Sequence, residues 1–106
     1  MITMQAIRRK YPDPVKFSYG YTKDCGKYCV GGAYIQYAGI TLPDGALRFE
    51  HLFPASGNLA FALRQSNPAL TPAKAWVFAT KIMEFNDAML FERAWASLDE
   101  ALRWEP

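Results

Sequence analysis

The pattern of hydrophobic and polar positions is most regular in the last third of the chain, from residue 71 to residue 104. Thr71 is a favoured N-cap residue and Pro72 suits the first position of a helix, so a helix is predicted to begin there. From Ala73 to Phe85 the segment is apolar over most of its circumference, which is typical of a central helix covered on several sides. Its polar positions share one narrow stripe: Lys74, Lys81 and Glu84.

A second helix is predicted from about Ala88 to Trp104, because its apolar residues recur with the i, i+3, i+4, i+7 spacing of an amphipathic helix. Between the two helices, Asn86-Asp87 predicts a tight turn in which either residue can cap the second helix, and Asp87 would also place a favourable charge at its N-terminus. The inward positions of the second helix are Phe91, Ala94, Trp95, Leu98, Ala101 and Leu102. Its polar face is formed by Glu92, Arg93, Ser97, Asp99, Glu100 and Arg103.

Two shorter helices are predicted from their end signals. One spans about Ile2 to Lys10 and carries its basic residues at the C-terminal end, where cations suit the helix dipole. The other spans about Gly57 to Gln65, with Ser56 as its N-cap and Asn67-Pro68 after its end.

A fifth helix is predicted from roughly Lys27 to Tyr37, with Asp24 or Cys25 leading into it. Gly31-Gly32 lies inside this helix, although glycine costs about 1 kcal/mol relative to alanine at such a position. The pair therefore indicates close approach by another element, and the large aromatic residues of the C-terminal helices are candidates. Gly39 is expected to end the helix.

Two segments carry signals of extended structure. Apolar and polar residues alternate from Val15 to Thr22, which predicts either a half-buried strand or an extended loop. Pro43-Asp44-Gly45 lies between the apolar runs Ile40–Leu42 and Ala46–Phe49 and predicts a small hairpin or a turn, because proline fixes the first torsion and glycine accepts a positive one.

The composition agrees with one folded domain over residues 1–106, since 51% of the 106 residues are hydrophobic and 15% are aromatic. No apolar run approaches the roughly 20 residues needed to span a bilayer, and the N-terminus lacks the apolar region of a signal peptide. We therefore expect a cytoplasmic protein from a bacterial or phage-infected cell. The predicted fold is mainly α: a compact bundle of four or five helices with a minor β-hairpin or extended segment.

The two cysteines do not predict a metal site. Cys25 and Cys29 are four residues apart, His51 is the only histidine, and a structural zinc site needs four ligands. The spacing also begins like the cysteine run of some iron–sulfur proteins, but Gly32 occupies the next expected cysteine position. We expect no metal, no cofactor and no disulfide, with Cys29 buried as a small hydrophobic residue and Cys25 a free thiol.

A cysteine-dependent enzyme is the alternative interpretation of the same residues. Cys25 or Cys29 near the start of a helix would be the nucleophile and His51 the base, with Asn86 or Asp87 orienting the histidine. Nothing in the spacing of these common residue types shows that they meet in space, because such sites are defined by geometry.

The distribution of charge permits an anionic partner for the N-terminal part. The net charge is only +2, but residues 1–40 contain six basic and two acidic residues, a balance of +4. All six tyrosines also lie between Tyr11 and Tyr37, and stacking rings with nearby cations are the physics of single-stranded nucleic-acid binding. Alternatively, the tyrosines cover the core with their hydroxyls at the surface. The candidate binding residues are Arg8, Arg9, Lys10, Tyr19 and Tyr21.

Two segments carry a family resemblance. Cys29-Val30-Gly31-Gly32-Ala33 opens a predicted helix, and Asn86-Asp87 opens a final helix that ends Leu98-Asp99-Glu100-Ala101-Leu102. In this order they resemble small phage and bacterial proteins that share a Cys-x-x-Gly-Ala segment and a late Asn-Asp. The resemblance covers about residues 25–104, with tyrosines in place of the tryptophan-rich stretch before the cysteine. That family is a domain of unknown function, so the resemblance implies a helical fold and no chemistry.

These observations favour a non-enzymatic binding or protein-interaction module. Its partner is expected to be another protein or a second copy of the chain, without a role for a membrane. No residue is assigned as catalytic in this interpretation. The alternatives are the small cysteine enzyme and a weak single-stranded nucleic-acid binder.

Overall fold

A computed structural model describes residues 2–14, 28–41 and 55–106. All regular secondary structure in these residues is helical, and the helices pack around one shared core, which confirms the predicted mainly α, compact bundle. The predicted strand at residues 15–22 and the turn at Pro43-Asp44-Gly45 lie outside the described residues and stay predictions. The helices are α1 (Met4–Lys10), α2 (Val30–Ala38), α3 (Ala55–Ser66), α4 (Pro72–Asp87) and α5 (Phe91–Leu102).

Helix α4 packs most extensively against α3 and α5, and it also contacts α2. Its start is as predicted: the Thr71 hydroxyl accepts a hydrogen bond of 3.1 Å from the N–H of Lys74. The expectation that α4 is covered on several sides is wrong for one face, since Trp76 is 46% exposed and Val77 59%. The buried side follows one helical stripe: Ala75, Phe78, Ala79, Ile82 and Asn86.

Helices α3 and α5 both pack on α4. In α5 the predicted inward positions are buried or half-buried, but Ser97 from the predicted polar face is only 4% exposed. In α3 the positions Leu59, Ala62 and Leu63 are buried. The predicted start of α3 is wrong by two residues, so that Ser56 lies in its first turn and does not precede the helix.

The N-terminal helix α1 begins two residues later than predicted. The Thr3 hydroxyl accepts a hydrogen bond of 3.2 Å from the N–H of Ala6, which places the cap at Thr3 and leaves Ile2 outside the helix. Ile7 is fully buried and attaches α1 to the core, while α1 contacts α2 and α5. The basic residues occupy the last turn, as expected.

Helix α2 also begins later than predicted, at Val30, and its N-cap is Cys29 where Asp24 or Cys25 was expected to lead in. The predicted close approach at Gly31 is confirmed. A Cβ atom on Gly31 would lie 3.1 Å from Cδ2 of Leu59 and 3.6 Å from Sδ of Met83. The neighbours are therefore an aliphatic residue of α3 and a methionine of α4, and the expected aromatic residues are not among these nearest atoms.

Helices α2 and α4 end in the same hydrogen-bonded motif, in which one residue adopts the left-handed conformation. Gly39 has φ of +67° after α2, and Ile40 N–H donates to Ile35 C=O at 3.2 Å. Met89 has φ of +62° after α4, and Leu90 N–H donates to Phe85 C=O at 2.8 Å. Both are Schellman motifs. Gly39 adopts its torsion without strain, whereas Met89 is strained there by contact between its Cβ and the backbone.

The two motifs predict opposite effects of exchanging glycine and a larger residue. Gly39→Ala should lower the free energy of unfolding by about 1–2 kcal/mol, because a side chain in the left-handed region is strained. Gly39→Asn should lower it less, since asparagine tolerates this conformation. Met89→Gly should raise it by about 0.5–1 kcal/mol, because Met89 is largely exposed and loses little packing. Urea unfolding midpoints measure all three, and equal midpoints for Gly39→Ala and wild type would contradict this account.

Candidate functional site

The two segments that carry the family resemblance meet at the N-terminus of α2. The side-chain oxygen Oδ1 of Asn86, in the last turn of α4, accepts a hydrogen bond of 2.8 Å from the N–H of Val30. Both residues are fully buried. The first N–H groups of a helix lack partners within the helix, so Asn86 supplies from α4 an acceptor that α2 itself does not provide for Val30.

The predicted turn and cap at Asn86-Asp87 are therefore wrong. Helix α4 continues through Asp87, and the turn follows at Ala88 and Met89. Leu90 stands at the N-cap position of α5, which has no side-chain capping hydrogen bond. Asn86 is helical because its position continues the buried stripe of α4. At this position its side-chain amide contacts the N-terminus of α2.

Cys29 completes this end of α2 and is buried, as predicted. Its Sγ accepts a hydrogen bond of 3.3 Å from the N–H of Gly32, so the thiol acts as the side-chain cap of the helix. Burial raises the pKa of the Cys29 thiol, and the carboxylate of Asp87 adds to this, while the N–H groups of Gly32 and Gly31 act in the opposite direction. A buried thiol that stays protonated at neutral pH is a poor nucleophile.

The other residues proposed for cysteine chemistry, Cys25 and His51, lie outside the described residues, so the Cys–His pairing stays a prediction. One cleft of about 500 Å³ lies among the described residues, between the N-terminal end of α1 and the C-terminal ends of α3 and α5. Neither Cys29 nor Asp87 lines it. The lining residues are Ile2, Ser66, Leu102, Arg103 and Glu105.

Tyr34 is a second buried titratable group among the described residues, and it joins α2 to α3. Its hydroxyl donates to Ala62 C=O at 2.8 Å and lies 2.5 Å from the hydroxyl of Ser66. Burial raises the pKa of Tyr34 to about 12, against the smaller opposing effect of Ser66. Its phenol therefore stays protonated across the physiological range.

The basic residues of α1 have separate environments. Arg8 forms a bidentate ion pair with Glu92 of α5, and its guanidinium lies 5.7 Å from the ring centre of Trp95. The hydrogen bond from Arg8 holds the pKa of the Glu92 carboxyl below its usual value. Arg9 and Lys10 are exposed, while Tyr19 and Tyr21 lie outside the described residues. Arg8 thus attaches α1 to α5, which weakens its assignment as a phosphate contact.

The described surface also exposes four large hydrophobic side chains in two places. Trp76 and Val77 lie on the outer face of α4, opposite its buried stripe. Met89 (62% exposed) and Leu90 (44%) form the turn that follows the same helix. Sequence periodicity alone missed this surface, because it assigned Trp76 to the covered part of α4. The sequence did contain a sign of this surface. Val77 lies four residues before Lys81, so the two residues share one face of the helix, and a lysine is expected on the solvent side.

Residues 2–14, 28–41 and 55–106 contain no group of three histidine, cysteine or acidic side chains placed to hold a metal ion. No helix within the same ranges is both long and apolar enough to cross a membrane. No family model, curated protein or solved structure matches the chain. The site must therefore be interpreted from its own geometry.

The contact between Asn86 and Val30 predicts a specific loss of stability. Asn86→Ala leaves the buried N–H of Val30 without this acceptor and should lower the free energy of unfolding by about 1–3 kcal/mol. Gln36→Ala is the matched control, because Gln36 is an amide on the exposed side of α2 and should change stability by less than about 0.5 kcal/mol. Urea unfolding would contradict the account if the two variants had the same midpoint.

The burial of Cys29 predicts slow thiol labelling. In a Cys25→Ser background, a disulfide reagent at about pH 8 should modify Cys29 about 100-fold or more slowly in the native state than in denaturant, because the thiol is buried and protonated. The time course of thiolate release at fixed reagent concentration measures the rate. Labelling of the folded protein at the rate of the denatured control would show that the site is open.

Proposed function

We propose that the chain is a non-enzymatic protein-interaction module in the cytoplasm of a bacterial or phage-infected cell. Its binding surface is the outer face of α4, defined by Ala73, Trp76, Val77, Thr80 and Glu84. The single observation that supports this proposal is the exposure of both Trp76 and Val77 on a helix that packs against three others.

The outer face of α4 is not needed to hold the helix in the fold. The buried stripe on the opposite side makes the packing contacts, and Thr71 caps the N-terminus. Single exposed apolar residues are common on protein surfaces and need no explanation. An exposed tryptophan together with an exposed valine on one helix is different, because tryptophan is enriched in protein interfaces and among the residues that contribute most to their binding energy.

The buried polar chemistry of the described residues supports the same choice over the cysteine enzyme. Cys29 caps α2, Asn86 binds the N–H of Val30, and Tyr34 binds Ala62 and Ser66. Each of these groups has a structural task. We also propose that the chain belongs to the phage and bacterial domain of unknown function that it resembles, and the contact between its two shared segments supports this assignment.

The proposed binding surface is tested by site-specific crosslinking inside a bacterial cell. A photoreactive phenylalanine analogue at position 77 should form covalent adducts with a protein, because Val77 lies at the centre of the surface. The matched control carries the same analogue at position 100, which is also exposed and lies on α5. Adducts at position 77 well above those at position 100 support the proposal. Equal adduct levels at the two positions would contradict it.

A further inference from the structure

We propose that the partner of this surface is a second copy of the chain, bound with the two α4 helices antiparallel across a two-fold axis. The inference rests on the proposed function, since it uses the same outer face of α4. It goes further because it names the occupant and the orientation. Two features of α4 support it: the order of its charges and the spacing of its small and apolar outer residues.

The charges of α4 run against its own helix dipole. Its first turn contains Lys74 and no acidic residue, and its last turn contains Glu84 and no basic residue. Anions are favoured at a helix N-terminus and cations at its C-terminus, so each of these charges is at the unfavourable end. The arrangement therefore does not serve the stability of an isolated α4.

An antiparallel copy reverses this disadvantage. It brings Lys74 of each chain to the C-terminal turn of the other helix, where the dipole is negative and Glu84 provides a carboxylate. The two-fold axis repeats this contact, so one favourable arrangement is used twice. Lys74 is also held in place in the single chain, because its ammonium lies 5.6 Å from the ring centre of Trp104.

The outer residues have the spacing that an antiparallel helix pair requires. Ala73, Val77, Thr80 and Glu84 follow one another by four, three and four positions, which is the spacing of the residues that line a two-helix contact, with Glu84 at its charged end. In the antiparallel register, Val77 packs against the partner copy's equivalent of Thr80 at the centre. Trp76 borders this contact on one side. Small and β-branched residues at the centre let the two helices approach closely, and the tryptophan adds apolar area at the edge.

The oligomeric mass in solution tests the inference. Sedimentation of the purified full chain at rising concentration should show a shift from 12.0 kDa toward twice that mass. Val77→Asp should raise the dissociation constant of the dimer more than about 10-fold, because it puts a carboxylate from each copy into an apolar contact. Ala96→Asp is the matched control, since Ala96 is an exposed position of α5 away from the seam, and should leave the constant unchanged. Circular dichroism checks that each variant is folded.

Charge reversal identifies the antiparallel orientation. Lys74→Glu and Glu84→Lys should each raise the dissociation constant by about 3- to 30-fold, because every dimer contains the pair twice. The double variant Lys74→Glu/Glu84→Lys should return close to the wild-type value. A double variant weaker than both single variants would overturn the orientation.

The crosslinking experiment separates this inference from the proposed function. Adducts at position 77 between two copies of the chain, together with a concentration-dependent dimer, support both. Adducts only to a different protein, with a chain that stays at 12.0 kDa up to about millimolar concentration, would overturn the second copy as partner and leave the interaction module standing. Loss of adducts at position 77 relative to position 100 would overturn both.

Discussion

The position of α2 in the described fold depends on the hydrogen bond from Val30 N–H to the Asn86 side chain. This bond joins residues 56 positions apart and fixes the start of α2 against the end of α4. Both residues are fully buried, so water does not replace the lost partner of either group in the folded chain. An unsatisfied buried N–H is costly, which makes the position of α2 on α4 specific where apolar packing alone would tolerate sliding. With α2 in this position, the Cys29 thiol caps its N-terminus and Gly31 lies against Leu59, where a side chain would be crowded.

Several helix ends are completed either by a distant polar side chain or by a local backbone motif. Asn67 illustrates the distant kind, because its side-chain amide donates to Ala101 C=O at 2.9 Å and to Trp104 C=O at 3.0 Å, and so ties the α3–α4 connection to the end of α5. Gly39 and Met89 illustrate the local kind, with the left-handed residue that closes a Schellman motif. Long-range polar contacts of this type are what a one-dimensional pattern does not contain.

Sequence periodicity predicted the part of the fold that depends on repeated apolar contacts. The inward residues of α5 and the Thr71 cap follow from local rules and are confirmed, although α5 begins at Phe91 and not at about Ala88. One of the errors falls where a tertiary contact overrides a local preference. Asn86-Asp87 has the composition of a turn, yet Asn86 continues α4, because its side-chain amide accepts the hydrogen bond from Val30 N–H at the start of α2. The turn therefore falls at Met89, although methionine is not among the residues that favour turns.

The residues of the candidate site could be identified from the sequence, but their structural role could not. Cys29, Asn86 and Asp87 were singled out from the sequence, and Cys29 and Asn86 do meet at one helix end, but they meet as a cap and an acceptor inside the core. Burial that stabilises a helix end also keeps the Cys29 thiol protonated, so the same environment that makes the cysteine structural removes its reactivity. What remains outside the core is the uncovered side of α4. Its charges oppose its own dipole and Trp76 is 46% exposed, and the antiparallel second copy that we propose would offset both features.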